Sequence, residues 1–290
     1  MWYNNTMKKQ RVFVIGGPTA SGKSALAIRL AESLDGSIIN GDAIQVYKDL
    51  SVLSARPTPE DMKKVPHYLY GEVDAWTNCS LADWLKRIQK VLPILKNPIV
   101  VGGTGMYLDA LMNGISPIPD IPAEIRKKVR AMSVEEVKCI VRDCVFTDPQ
   151  RMRRALEVQL ATGKSIQYFQ KLPKIKAITA DFRLIHVLPA RELIYKNCAV
   201  RFEKMQQAGA VEEVQNLQRI QATGGVLKAI GVPEILAYLN GSLSREEMVE
   251  KAVIATRQYA KRQMTWFRHH GQPDATITDI SNVNIQNITK

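Results

Sequence analysis

Two kinds of hydrophobic pattern alternate along the first hundred or so residues. Val12 to Ile15, Ile38 to Ile39 and Ile99 to Val101 are unbroken apolar runs rich in β-branched residues. Short runs of this kind fit strands buried on both faces, as in a parallel sheet. Strands are therefore expected over 11–15, 37–40 and 99–101. Between them the apolar positions return every three or four residues, which predicts helices over 25–34 and 82–95. The second stripe carries Leu81, Trp84, Leu85, Ile88, Leu92 and Leu95. Thr58, Pro59 and Asp61 have the spacing of a capping box with proline at the first helical position, so a short helix is expected there, ended by Pro66.

The pattern changes at Asn113 to Pro122, a stretch of prolines and turn residues. Beyond it, charged helical patterns run over 124–132, over 133–144 with Glu136 as the cap partner of Ser133, and over 148–163. A strand returns at Arg183 to Leu188 and is closed by Pro189. Helices are then expected over 192–208, 211–220 and 232–239, and from the caps Ser242 and Ser244 to about His269. The tail from Gln272 commits to neither strand nor helix. The expected fold class is α/β: a parallel-sheet core over 8–114, an inserted helical lobe over 115–180, and a return to the core with C-terminal helices over 181–290.

Composition adds one strong bias. The 290 residues are 46% hydrophobic, enough for a sizeable core, and carry a net charge of +12. That excess attracts polyanions, with nucleic acid first among them; a merely basic surface explains the charge equally well. Cys79, Cys139, Cys144 and Cys198 form no C-x-x-C pair, and His67, His186, His269 and His270 have no metal spacing with them. Reduced thiols and no zinc site are expected. No apolar stretch approaches the length of a membrane span, and MWYNNTMKK lacks the apolar region of a signal peptide, so a cytoplasmic protein without membrane contact is expected.

The strongest chemical signal is Gly17-Pro18-Thr19-Ala20-Ser21-Gly22-Lys23-Ser24. It fits G-x-x-x-x-G-K-S/T, placed between a strand and a helix as that motif demands. Such a turn gathers backbone N–H groups around an anion, the helix end adds partial positive charge, Lys23 reaches between phosphates and Ser24 can hold a divalent cation. The ligand is a diphosphate or a triphosphate. Asp42 follows the second strand at its carboxyl end, where ligands of open α/β sheets sit. It can hold magnesium through water, take a proton from an attacking group, or close an Asx turn. Thr104, in GGTGMY after the third strand, can meet a ligand or cap a helix. Arg201 is a second cation for the phosphates or a solvated helical residue. Gln150, Arg151, Arg153 and Arg154 make a compact basic set, and Arg257, Lys261 and Arg268 repeat along the last long helix. Both suit RNA phosphates, and both suit a solvated helix face.

Several stretches together resemble one family, the tRNA dimethylallyltransferases. They are GPTASGKSALA from Gly17, INGDAIQVY from Ile39, VVGGTGMYLDAL from Val100, DPQRMRRALEVQLATGKS from Asp148, RELIYKNCAVRFEKM from Arg191 and ATRQYAKRQMTWFR from Ala255. They follow the family's order over nearly the whole chain. The resemblance implies a P-loop NTPase-like core and transfer of a dimethylallyl group from dimethylallyl diphosphate to the exocyclic amine of the adenosine 3′-adjacent to the anticodon, with pyrophosphate released. It further implies that Thr19 to Ser24 cradle the diphosphate, that Lys23 and Arg201 neutralise the leaving group, that Ser24 assists Mg2+, and that Asp42 is the general base. Asp42, Ala43, Ile44, Gln45, Thr104, Arg126, Gln150, Arg151, Met152, Arg153, Arg154 and Lys228 would meet tRNA. A monomer is expected. The chain departs from the family in reading DLSVLSARP from Asp49, with Arg56 where the family has lysine, in Ser24 for threonine, in a shortened helical lobe, and at Val232 and Pro233. Other uses of the same loop are a small-molecule kinase and an RNA-binding protein without turnover.

Overall fold

The computed structural model describes residues 9–141 and 146–289. Contacts within the chain divide it into two compact units, one comprising residues up to Met112 together with those from Ala177 onward, the other Asn113–Lys176.

The larger unit begins with β1 (Arg11–Gly16), α1 (Lys23–Leu34) and β2 (Ser37–Asn40). It continues through α2 (Pro59–Lys64), β3 (His67–Tyr68), α3 (Leu81–Val91) and β4 (Pro98–Gly102) into α4 (Gly105–Asn113). The six strands described form one sheet in the order β3-β2-β4-β1-β5-β6, where β5 is Asp181–Val187 and β6 is Ala275–Ile277. Every pairing is parallel, so all strands end at the same edge. Register sets that edge closely: Gly16 stands beside Gly102, and Gly41 follows β2 at the same level. At Gly102 a β-carbon would overlap the carbonyl of Gly41, so the loops after β2 and β4 are held together by the lack of a side chain.

The apolar runs became the core. Phe13, Ile15, Ile38, Ile99 and Ile185 pack with Leu26, Ala27 and Leu30 of α1 in one buried cluster. Caps set the helix starts: Thr58 and Asp61 form the expected box before α2, and Ser80 with Asp83 forms another before α3. The GGTGMY stretch, expected as a loop, turns into α4 at Gly105; the two glycines before Thr104 hid the helix start. The second half supplies α9 (Arg191–Gln207), α10 (Ala210–Arg219), α11 (Val232–Leu239) and α12 (Arg245–His269), the last capped by Ser244 and Glu247. The tail forms both β6 and the short α13 (Ile285–Thr289).

The smaller unit holds α5 (Ala123–Ala131), α6 (Val134–Ile140), α7 (Pro149–Thr162) and α8 (Ile166–Gln170). Its ends are clasped where Ile115 and Ile175 exchange two backbone hydrogen bonds, of 3.0 and 2.9 Å. Asp148 caps α7 by accepting from Arg151 N–H at 2.9 Å, and Gly163 ends it with φ 70°. Ser133 and Glu136 cap α6 as expected, but α6 ends at Ile140; residues 142–145 of the expected 133–144 helix, including Cys144, lie outside the described residues. One expectation is corrected here. Met152 is only 5% exposed and packs with Val129, Val137 and Leu156, because the apolar stripe of α7 passes through it. Its side chain belongs to the core of the lobe and is not on the exposed face with Gln150 and Arg151.

Candidate active site

The glycine-rich turn closes over the end of β1. Gly17 is pressed so tightly on the carbonyl of Val187 that no side chain fits, and Gly22 has φ 86°, the left-handed region where a β-carbon is strained. α1 starts at Lys23 with no side-chain cap, which leaves its first N–H groups available to an anion. Lys23 Nζ donates to the carbonyl of Pro18 at 3.1 Å, which folds the lysine back over the turn. Burial, and next the nearby Arg201, push its pKa down to about 8, with Asp42 acting in the opposite sense. Burial also lowers the pKa of Arg201, which stays a cation because a guanidinium starts so high. Neither Lys23 nor Arg201 forms an ion pair within 4 Å among the described residues. Two cations near one carboxylate therefore leave an excess positive charge at the turn.

Asp42 does close an Asx turn, its Oδ1 accepting from Ile44 N–H at 2.9 Å. That leaves Oδ2 without a hydrogen bond among the described residues. Asn40, fully buried, orients the segment: its carboxamide accepts from Asp42 N–H at 2.8 Å and donates to the carbonyls of Asp42 and Leu69. Thr104 Oγ1 accepts from Ala43 N–H at 3.1 Å, tying the loop after β4 to the loop after β2. Gln263 of α12 completes the frame. Its Oε1 accepts from Thr19 N–H at 2.8 Å and its Nε2 donates to the carbonyl of Gly103 at 2.7 Å, joining the phosphate turn to the loop after β4. Tyr259 of α12 lines the same cavity, and burial, with the nearby Asp42 next, raises its pKa.

These groups surround a cavity of about 370 Å³ that also takes in Ala43, Gln45, Leu53, Phe202, Met205, Lys228 and Arg262. A second recess of about 410 Å³ on the helix side of the turn is lined by Ala20, Gly22, Ser24, Asn197 and Lys204. Lys23 and Arg201 line both. Ser21 Oγ, in the turn, is buried without a hydrogen-bond partner among the described residues.

The structure thus gathers Thr19, Lys23, Asp42, Ala43, Ile44, Gln45, Thr104, Arg201 and Lys228 around one cavity. Gln45 is partly committed, since its Nε2 donates to the carbonyls of Ser54 and Ala55. Val232, near Lys228, is fully buried and has no surface to offer a ligand. Arg56 donates to the carbonyl of Tyr47 at 3.0 Å and so holds its own loop. In the smaller unit Arg126, Gln150 and Arg151 are exposed, Arg154 pairs with Glu157 at 3.2 Å, and Arg153 donates to the carbonyl of Met132 at 2.8 Å. On α12, Arg257 is drawn onto Tyr195, while Lys261 and Arg268 remain exposed. Asn40, Gln263, Tyr259 and Arg262 escaped the sequence reading. Gln263 left a signal: it is the polar member of the buried stripe that Ala260, Met264 and Phe267 make on α12.

A central strand running into a capless helix through a glycine-rich turn, with unpaired cations over it, defines a P-loop protein that seats a phosphorylated ligand. Beside the turn lies a chamber lined by Asp42 and Thr104 together with Leu53, Phe202 and Met205. The IPP transferase family matches residues 45–270, more than half of the chain, and the isopentenyl transferase family matches residues 10–71. The chain belongs to the tRNA dimethylallyltransferase family. The enzyme of that name from Rhizobium etli is 45% identical over 284 residues, 91% of this chain and 96% of its own. That of Zymomonas mobilis is 40% identical over 304 residues, 99% of this chain and 97% of its own. Among solved structures, the tRNA isopentenylpyrophosphate transferase of Bacillus halodurans superposes with a TM-score of 0.71 at 27% identity, covering 97% of this chain and 94% of that one. A eukaryotic dimethylallyltransferase acting on tRNA gives 0.77 at 26% identity, covering 94% and 75%.

Proposed function

We propose that the two recesses meeting at Lys23 and Arg201 divide the work of a tRNA dimethylallyltransferase, the diphosphate lying over the phosphate turn and the acceptor base entering the chamber that Asp42 lines. The protein transfers a dimethylallyl group from dimethylallyl diphosphate to an adenosine near the anticodon of tRNA. In our reading the acceptor is the exocyclic amine of the adenosine 3′-adjacent to the anticodon. The amine nitrogen forms a bond to C1 of the allyl group as the C1–O bond breaks, and the electron pair leaves with pyrophosphate. The backbone N–H groups of the turn, Lys23 and Arg201 stabilise that departing charge. Asp42 Oδ2 takes the proton that the amine loses as it becomes cationic. The observation that carries the reading is a pair of cations with no ion pair within 4 Å among the described residues, lining the same cavity as the half-engaged Asp42.

Mg2+ fits this site as an ion carried by the diphosphate. The exposed Ser24 hydroxyl lies at the start of α1 in the outer recess, and no group of three or more His, Cys, Asp or Glu residues that could hold a metal occurs among the described residues. A hard ion that keeps most of its waters needs few protein ligands, and bound there it would offset diphosphate charge. Arg126, Gln150, Arg151 and Lys228 supply exposed groups for tRNA phosphates. Mass analysis of nucleosides from tRNA incubated with the protein, dimethylallyl diphosphate and Mg2+ tests the assignment. Dimethylallyl adenosine at the position after the anticodon is expected. Tight ATP binding with no modified nucleoside would overturn it.

A further inference from the structure

Part of the chamber's wall is held by a residue that does not line it. Leu53 and Ser54 line the cavity, and both are at most 8% exposed. They belong to a tight loop in which Ala55 N–H bonds the carbonyl of Val52 at 2.9 Å and Arg56 N–H that of Ser51 at 3.1 Å, with Ala55 at φ 49°. Three consecutive N–H groups, those of Ser51, Val52 and Leu53, point outward from this loop. All three donate to the carboxylate of Glu213 on α10: Ser51 and Val52 to Oε1, the latter at 2.8 Å, and Leu53 to Oε2 at 2.9 Å. The Ser51 hydroxyl adds a fourth bond at 3.0 Å. Successive N–H groups in a turn make an anion-binding concavity, and here the anion is a side chain of the protein itself. From the far side Gln45 holds the carbonyls of Ser54 and Ala55 at 3.0 and 2.9 Å.

We propose that Glu213 is a positioning residue for the acceptor base: by clamping residues 51–53 it fixes the Leu53 wall against Phe202 and Gly231 and so sets the width of the chamber facing Asp42. Leu53 already approaches Gly231 closely enough that a β-carbon there would lie 2.8 Å from its Cδ2, and Phe202 lines the same cavity. The clamp touches none of Thr19, Lys23 or Arg201, so it acts on the acceptor and not on the diphosphate. The inference rests on the chamber being the acceptor site, as read above.

The test compares wild type with Glu213→Ala and Glu213→Gln. Glutamine keeps one oxygen for Ser51 and Val52 but turns an amide N–H2 toward the Leu53 N–H. With an anticodon stem-loop as acceptor, kcat/KM is expected to fall by about tenfold to a hundredfold in Glu213→Ala, the range for a modest misplacement of reacting groups, and by less in Glu213→Gln. The Kd for dimethylallyl diphosphate is expected to stay within about twofold of wild type, since the phosphate turn is untouched. Equal losses in acceptor kinetics and donor affinity would reduce Glu213 to a general stabiliser and overturn the proposal, as would unchanged acceptor kinetics. If Glu213→Ala does not fold, Glu213→Gln decides by the same split. Failure of the wild type to modify the stem-loop would instead sink the acceptor reading itself.

Discussion

Lys23 gives the turn a measurable pH signature. In the free protein its pKa is about 8, lowered first by burial and then by Arg201. About nine-tenths of it is protonated at pH 7, and only about a thirtieth at pH 9.5. A bound diphosphate, itself fully ionised over this range, restores the ammonium by placing negative charge against it. Above pH 8 binding therefore takes up one proton. The affinity for dimethylallyl diphosphate should fall toward a limiting slope of about tenfold per pH unit, by about 16-fold between pH 8 and pH 9.5, equivalent to about 1.6 kcal/mol. Folding stability should move the other way. The lysine is held below its unfolded value of 10.5, so between about pH 8 and 10.5 the unfolded chain binds more protons than the folded one. Stability rises through that window by at most about 3 kcal/mol from this group. Calorimetric titration with dimethylallyl diphosphate from pH 7 to 9.5, in two buffers of different ionisation enthalpy, measures both affinity and proton uptake. Lys23→Arg should flatten the profile, since a guanidinium does not titrate there, and Arg201→Gln should move the break to higher pH by removing the neighbouring charge. A flat wild-type profile, or the same slope in Lys23→Arg, would refute the argument.

Four further outcomes follow from the same geometry. Asp42→Asn keeps an oxygen for Ile44 N–H but cannot take a proton, so single-turnover transfer should slow by about 10²-fold to 10⁴-fold while stopped-flow donor binding changes little. Gln263→Leu leaves Thr19 N–H and the Gly103 carbonyl unpaired in a buried place, and urea unfolding should show a loss of about 2–4 kcal/mol together with weaker donor binding. Gly102→Ala forces a β-carbon onto the Gly41 carbonyl, and chemical denaturation should show a cost above about 2 kcal/mol even though the side chain added is one methyl. Arg151→Ala, at an exposed position of α7, should reduce the slope of log affinity for tRNA against log salt by about 0.7–0.9 if it meets one phosphate, read by filter binding across a salt series.

What the sequence made legible was whatever its chemistry keeps close along the chain. The turn from Gly17 to Ser24 could be read because a phosphate cradle, its lysine and its hydroxyl must occupy eight consecutive positions between a strand and a helix. The caps Thr58, Ser133 and Ser244 could be read because a capping oxygen and its N–H lie within three residues of each other. Asp42 was visible as the residue at a strand end, though not as both an Asx turn and a cavity carboxylate, because one oxygen does each job. The misses have the opposite character. α4 was hidden behind Gly102 and Gly103, whose role is close approach between loops and not chain breaking. Met152 was read with its arginine neighbours, although the stripe it shares with Leu156 points it inward.

Gln263 and Glu213 show why the rest of the site could not be read this way. Each spends a polar side chain on the backbone of a loop more than 150 residues away in sequence, at separations of 244 and 160 between Thr19 and Gln263 and between Leu53 and Glu213. Nothing in their own neighbourhoods demands a glutamine or a glutamate there. The demand comes from N–H groups that the turn at Thr19 and the loop at Ser51 to Leu53 leave over, since a buried donor without a partner costs about 1–3 kcal/mol. The loops are irregular because they must approach substrate, and irregular backbone cannot satisfy itself. The donors exposed by making a site are therefore what fixes the residues that frame it, and α10 and α12 supply those frames from the far end of the chain. A loop around this cavity with unpaired backbone groups identifies which distant helix holds it, and through that helix which polar residue sets the shape of the chamber.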